Sequence, residues 1–151
     1  MKIYIASRWR NQQLVIELAN RLEQEGFWVD AFCRTTEKRV AFHWSEFVDT
    51  EEALQEYDAI SFMDDDRVQR AFQEDKKWID WADCVIMLVP CGNSAHLEGG
   101  YAKGQGKPLF IFGEFHKGNF DVMYGFADSL FRTEEFDKLL DALKAYHGMI
   151  R

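Results

Sequence analysis

Glu98 is the side chain around which chemistry can be organised in this chain. It lies in the segment Asn93-Ser-Ala-His-Leu-Glu98-Gly-Gly-Tyr-Ala-Lys-Gly-Gln-Gly-Lys107-Pro108. An unbroken apolar run, Cys84–Val89, precedes that segment. Such a run reads as a parallel strand covered on both faces. Pro90 and Gly92 break it, and Asn93 and Ser94 offer N-caps for a following helix. Glu98 is expected in the first turn of that helix, beyond the carboxyl end of the strand, where open α/β sheets bind ligands. By position alone it has a structural explanation, because helix N–H groups and the helix dipole stabilise an early carboxylate. Gly99 and Gly100, poor helix formers, point instead to a close approach to the backbone.

Other side chains could act with Glu98. Tyr4, in the first apolar stretch, is either a core aromatic or a hydroxyl offered to a carboxylate at a neighbouring strand's exit. Asp75 is by default a helix-surface charge, and Asp83 a loop or cap residue. Arg8 and Arg10 stand in the loop Ser7-Arg8-Trp9-Arg10-Asn11. They are either solvated surface charges or ligands for a phosphate at a helix N-terminus. His96 is a helix-surface residue or, as Glu98's neighbour, a substrate-side one.

The elements that must position these residues follow in order. Lys2–Ala6 predicts a strand. A helix over about Gln12–Gln24 carries Leu14, Leu18 and Leu22 at helical spacing, and Gly26 stops it. Phe27–Phe32 predicts a second strand, giving the βαβ unit of a parallel sheet. Cys33–Phe42 reads as a polar loop. A helix is expected from about Ser45 to Tyr57, capped by Ser45. Ala59–Met63 is ambiguous. A further helix, started by Asp64-Asp65-Asp66, runs to about Trp81. After the central strand and helix, closed by Gly104 and Gly106, come a strand at Leu109–Phe112 and a loop at Glu114–Asn119. A short helix at Phe120–Ala127 and a short strand at Leu130–Phe131 follow. The final helix, Thr133–Tyr146, has Thr133 as N-cap. The pattern describes one α/β domain over residues 1–151. It is a flavodoxin-like three-layer sandwich with four or five parallel strands.

Composition narrows the function. At 151 residues with 47% hydrophobic content, the chain can bury one sizeable core. A net charge of −8 argues against a general nucleic-acid surface. Cys33, Cys84 and Cys91 leave an odd cysteine and imply no disulfide framework. No apolar run is long enough to span a membrane, and the first residues do not read as a signal peptide, so a cytoplasmic protein is expected.

Three familiar motifs fail. The run from Gly100 to Lys107 has the wrong spacing for a P-loop, and Pro108 stands where a magnesium-holding hydroxyl belongs. No G-x-G-x-x-G follows the first strand. Cys91 and His96 are two ligands without a set, since His43, His116 and His147 show no complementary spacing. No metal or cofactor is expected.

With these residues in place, the chain resembles the nucleoside 2-deoxyribosyltransferase-like family, including the 2′-deoxynucleoside 5′-monophosphate N-glycosidases. The resemblance rests on Lys2-Ile-Tyr-Ile-Ala6 and on Asp75-x-x-x-Ile79-x-x-Ala82-Asp83 leading into the apolar strand. It rests most specifically on Ser94–Pro108, with its Glu, Gly, Ala and Gly-Lys-Pro. It implies a flavodoxin-like fold and a nucleophilic Glu98 that attacks the anomeric carbon of a 2-deoxyribosyl group. Tyr4 then corresponds to the tyrosine that orients the nucleophile, and Asp75 to the acid near the base. Expected substrate contacts are Ser7, Arg8, Trp9, Arg10, Gly92, Asn93, Ser94 and His96, with Asp121 and Met123 reaching a neighbouring subunit's site.

The family's free-nucleoside transferases carry an Asp shortly before the Glu, where Gly92-Asn93-Ser94 stands here. That loss of charge favours a 5′-phosphate over a free hydroxyl. Asp121-Val122-Met123 replaces an Asn-x-Met. The implied partners are a small nucleoside or nucleotide, not a nucleic-acid polymer or a membrane, and further copies of the chain in a homodimer or larger homo-oligomer. Two other readings stand beside this one: a Glu-dependent NAD glycohydrolase or cyclase, and a non-catalytic nucleotide-binding module.

Overall fold

Alternating βα units with short apolar strands leave little choice but a parallel sheet covered on both faces. The computed structural model describes residues 1–150 and shows that arrangement. Five strands, β1 (Lys2–Ala6), β2 (Trp28–Ala31), β3 (Cys84–Val89), β4 (Leu109–Gly113) and β5 (Ser129–Arg132), form one sheet in the order β2-β1-β3-β4-β5. Every pairing is parallel. This is the flavodoxin-like strand order, with its topological switch point between β1 and β3.

Strand alternation divides the core. Ile3, Ile5, Ile86, Leu88, Phe110 and Phe112 face α1 (Gln12–Gln24) and α5 (Phe136–Met149). Tyr4, Ala6, Val85, Met87, Val89 and Ile111 face the other way, toward α3 (Asp66–Trp81) and α4 (Asn93–Gly104). All six residues of β3 are buried, as its unbroken apolar run requires. Each buried Ile, Leu, Val or Phe contributes roughly 1.5–3 kcal/mol. Cys84 is a free thiol in this core.

The middle of the chain departs from expectation. No helix spans 45–57. Two 3-10 turns, Trp44–Glu46 and Glu52–Glu56, stand there, followed by a five-residue helix, α2 (Ala59–Met63). Phe47 and Leu54 could share a helix face, but the positions between them on that face are the polar Thr50 and Glu51, and Phe47 packs edge-on against Tyr57 and Phe62 instead. That contact folds the segment back on itself. His43, not Ser45, caps the first turn by accepting the Ser45 N–H.

Three ends also differ. Thr133 opens a 3-10 turn, and α5 begins only at Phe136. Residues 120–127 form a 3-10 turn over Val122–Phe126 in place of an α-helix. Gly92 is the N-cap of α4, with Asn93 and Ser94 already inside the helix. Glu98 therefore falls in the second turn, beyond the free N–H groups that were to explain it.

Candidate active site

Tyr4 sits in the middle of β1 with its side chain on the α3/α4 face, fully buried. Register places Asp30 of β2 beside it on one side and Val85 of β3 on the other. Neighbours in register on parallel strands share a face, so Asp30 enters the same layer as Tyr4. From above that layer, α4 lowers Glu98 and α3 lowers Asp75. The two line one cavity of about 290 Å³ with Phe72, Ile79, Leu97 and Tyr101. Glu98 Oε2 and Tyr4 Oη are both sealed from solvent, and neither makes a well-aligned hydrogen bond. The phenol is nevertheless close enough to hold down the proton affinity of the Glu98 carboxyl.

A fifth side chain completes the cluster. Arg39, from the loop after β2, is 1% exposed. Its Nη2 donates to Asp75 Oδ1 at 2.5 Å, and its Nη1 stands 3.4 Å from Asp30 Oδ2. One guanidinium thus meets two carboxylates, and its charge is felt by Glu98 and Tyr4.

Burial is the main force on these groups, because desolvation disfavours the charged form. It lifts Glu98 to about 8; Tyr4 and Arg39 oppose the rise, and Asp75 and Asp30 add to it. Burial likewise lifts Asp30 to about 7 against the pull of Arg39. Asp75 is also raised by burial, with Arg39 opposing. The Tyr4 phenol is pushed well above its ordinary value by burial and then by Glu98 and Asp75, so it remains a proton donor. Such a set can hold a carboxylate, a hydroxyl and an exchangeable proton side by side at the mouth of one cavity.

The remaining sequence candidates lie apart from this cluster. Asn93, His96, Asp121 and Met123 line a second cavity of about 400 Å³ on another flank of α4, with Cys91 and Tyr124. His96 stacks on Tyr124 at 5.8 Å. His96 Nδ1 is 2.7 Å from the Gly92 carbonyl, so it carries the ring proton there and is not free to join Cys91 as a metal ligand. Asp121 accepts the Met123 N–H, which caps the 3-10 turn that bears both.

Arg8 lines a third cavity, at the start of α1, and Arg10 is exposed. The Ser7 hydroxyl is engaged internally: it donates to Leu88 O and accepts from Asn11 Nδ2. Trp9 packs edge-on against Phe32 and His43. Gly92 and Ser94 are exposed at the start of α4.

Several motif residues have structural causes. A Cβ on Gly99 would meet Leu109 at 3.2 Å, so this glycine lets α4 lie close on β4. Gly100 faces open space, and the expected close approach is absent there. Asp83 accepts the Lys2 N–H at 2.7 Å and braces the start of β1. Lys107 donates to the carbonyls of Ile79 and Asp80, closing the C-terminus of α3.

Arg39, Asp30 and Tyr124 were not among the sequence candidates. Asp30 carried a signal, an acid inside a strand with apolar neighbours. Arg39 carried none beyond its place in a polar loop, since its partners are 9 and 36 positions away in the chain.

The fold and cluster together define a flavodoxin-like α/β domain with a buried carboxylate–phenol–guanidinium centre. No family model and no curated protein sequence match the chain. Solved structures do. The CMP N-glycosidase BcmB of Clostridium botulinum superposes with a TM-score of 0.55 at 16% identity, over 93% of this chain and 99% of its own. The 2-deoxyribosyltransferase of Bacillus psychrosaccharolyticus superposes with a TM-score of 0.59 at 17% identity, over 87% of this chain and 85% of its own. The likeness establishes the shared fold. Among the described residues, no helix is long and apolar enough to cross a membrane.

Proposed function

We propose that the chain is a nucleoside 2-deoxyribosyltransferase-like enzyme, acting at the N-glycosidic bond of a 2′-deoxynucleoside or its 5′-monophosphate. One observation carries the reading. Glu98, Tyr4 and Asp75, from α4, β1 and α3, converge in one partly buried cluster beside the switch point of the sheet. The names of the two structural neighbours, one an N-glycosidase and one a deoxyribosyltransferase, support it.

In this reading the ionised Glu98 attacks the anomeric carbon as the bond from that carbon to the base nitrogen breaks. The electron pair leaves with the base, and Asp75 supplies or relays the proton that neutralises it. A glycosyl ester on Glu98 results. Water, or the nitrogen of a second base, then attacks the same carbon, gives its proton to Asp75 and returns the electron pair to the Glu98 carboxylate. Tyr4 keeps its proton throughout and stabilises the carboxylate whenever that group is charged.

The first turn of α4 suits a 5′-phosphate. It has no side-chain cap, so its N–H groups are open to an anion. Arg8 reaches the same region, close enough to favour the Cys91 thiolate. Glu98 lies about 7.5 Å further along the helix axis, at about 1.5 Å per residue. That spacing is comparable to the reach from phosphate to anomeric carbon in a nucleotide. A homodimer or larger assembly belongs to the same proposal: Leu97, Phe120, Val122 and Met123 are exposed around the two cavities beside α4.

The test is base release, followed by chromatography, from deoxynucleosides, their 5′-monophosphates, CMP and NAD, with and without an acceptor base. Wild type should release base from a 5′-monophosphate faster than from its nucleoside, and Glu98→Gln should release none. Equal or faster release from the nucleoside would sink the phosphate assignment. Release of nicotinamide alone would move the protein to NAD chemistry.

A further inference from the structure

We propose that Arg39 is a positioning residue of the glycosidic centre: its buried guanidinium fastens the loop after β2 to Asp75 and Asp30 and holds the cluster in the form that allows an ionised Glu98. The proposal rests on the glycosidic reading for its role in turnover, and on geometry alone for its role in the cluster.

The loop is built to present this side chain. Thr36 N donates to Arg39 O at 2.9 Å, and Thr36 Oγ1 accepts Arg39 N at 3.1 Å. Thr36 Oγ1 also accepts Lys38 N, so a four-residue loop closes on itself. Its exposed members, Glu37 and Lys38, face solvent, while Arg39 points inward and is 1% exposed. A guanidinium so deeply buried is rare unless paired. Here it is paired twice, with acids from different layers: Asp30 on the sheet and Asp75 on α3. Nε and Nη1 still lack aligned acceptors. The fork therefore has capacity to follow its partners as the charges around it change.

The groups facing the centre are Tyr4 from β1, Asp30 from β2, Asp75 and Glu74 from α3, Glu98 from α4, and Arg39 and Arg34 from the loop. Ionising Glu98 places a third negative charge beside Asp30 and Asp75. Arg39 is the cation that meets these carboxylates inside the protein, and it lowers the proton affinity of Glu98. Lys at this position would keep the charge but lose the planar fork that spans two carboxylates.

The experiment uses the full chain with 13C-labelled Glu and Asp side chains. The Glu98 and Asp75 carboxyl signals are titrated in wild type, Arg39→Met and Arg39→Lys, alongside kcat and KM against pH for base release. Glu98 signals are assigned by their loss in Glu98→Gln. In folded Arg39→Met the Glu98 midpoint should rise, because a cation that lowers its proton affinity is gone. The rising limb of kcat/KM should move with it.

In Arg39→Lys the Glu98 midpoint should stay near wild type while the Asp75 signal shifts. There kcat should fall about tenfold, with KM nearly constant. A Glu98 midpoint unmoved in folded Arg39→Met overturns the proposal. So does an Arg39→Lys enzyme with wild-type kcat, which remains readable should Arg39→Met fail to fold. If wild type releases no base from any substrate, the glycosidic reading falls, and the carboxyl titration alone still decides what Arg39 does to Glu98.

Discussion

Asn11 is joined to Pro90 by a 2.6 Å hydrogen bond from its side-chain amide to the backbone carbonyl, across 79 residues of sequence. The same amide donates to Ser7 Oγ, which in turn donates to Leu88 O. These contacts tie the loop after β1 to the end of β3 across the switch point, and so set where α4 begins. Asn11→Ala removes both donors at a buried position. It should lower stability by about 1–3 kcal/mol, the cost of leaving buried polar groups unpaired. In assays of base release it should raise KM more than it lowers kcat, because it loosens the loops around the phosphate end and leaves Glu98 in place. Urea unfolding and steady-state kinetics on the same preparation check both statements.

Glu98 makes stability depend on pH. Its folded value is about 8 against an ordinary 4.5. Between those values the folded state holds a proton that the unfolded chain has released, so stability falls as pH rises and levels off above about 8. Glu98→Gln cannot ionise and escapes this loss. The variant should match wild type near pH 4.5 and exceed its Tm by several degrees at pH 9, at about 2–4 °C per kcal/mol for a chain of this size. Thermal melts across that range measure it. A constant Tm difference would show that Glu98 ionises alike in both states. The same proton makes kcat/KM rise with pH toward a limb near 8 if Glu98 is the nucleophile.

Tyr4→Phe deletes one buried oxygen and little else. The hydroxyl has no aligned partner to strand, so the fold should lose less than about 1 kcal/mol. Activity should fall by about 10–100-fold, and the rising limb of the pH profile should move upward, since the phenol lowers the proton affinity of Glu98. An unchanged profile would leave Tyr4 as a core aromatic only.

Gly113→Ala tests the other end of β4. Gly113 adopts φ +134, and a Cβ there would overlap the Val89 carbonyl of the neighbouring strand. The strand pair cannot widen without losing its ladder. The variant should lose about 3 kcal/mol or more, or fail to accumulate as folded protein. Circular dichroism melts would show it, and a wild-type Tm would refute it.

Much of the fold was legible in the residues themselves. The apolar runs at 2–6, 84–89 and 109–112 announced buried parallel strands, because a strand covered on both faces needs no polar alternation. Leu14, Leu18 and Leu22 in α1, and the acidic start of α3, marked helices by local spacing and local capping. The segment around Glu98 was equally visible, since a carboxylate, small residues and a helix exit are all local features.

What needed the tertiary structure was everything set by distant partners. Residues 45–57 turn back because Phe47 finds Tyr57 and Phe62, a contact that overrides local helix preference. Glu98 owes its raised proton affinity first to burial beneath α4, which no spacing in the sequence encodes. Arg39 reads as one more charge in a polar loop until β2 and α3 bring Asp30 and Asp75 to it. A solvated arginine and a buried one have the same letter. Only folding decides whether water or two carboxylates surround the charge.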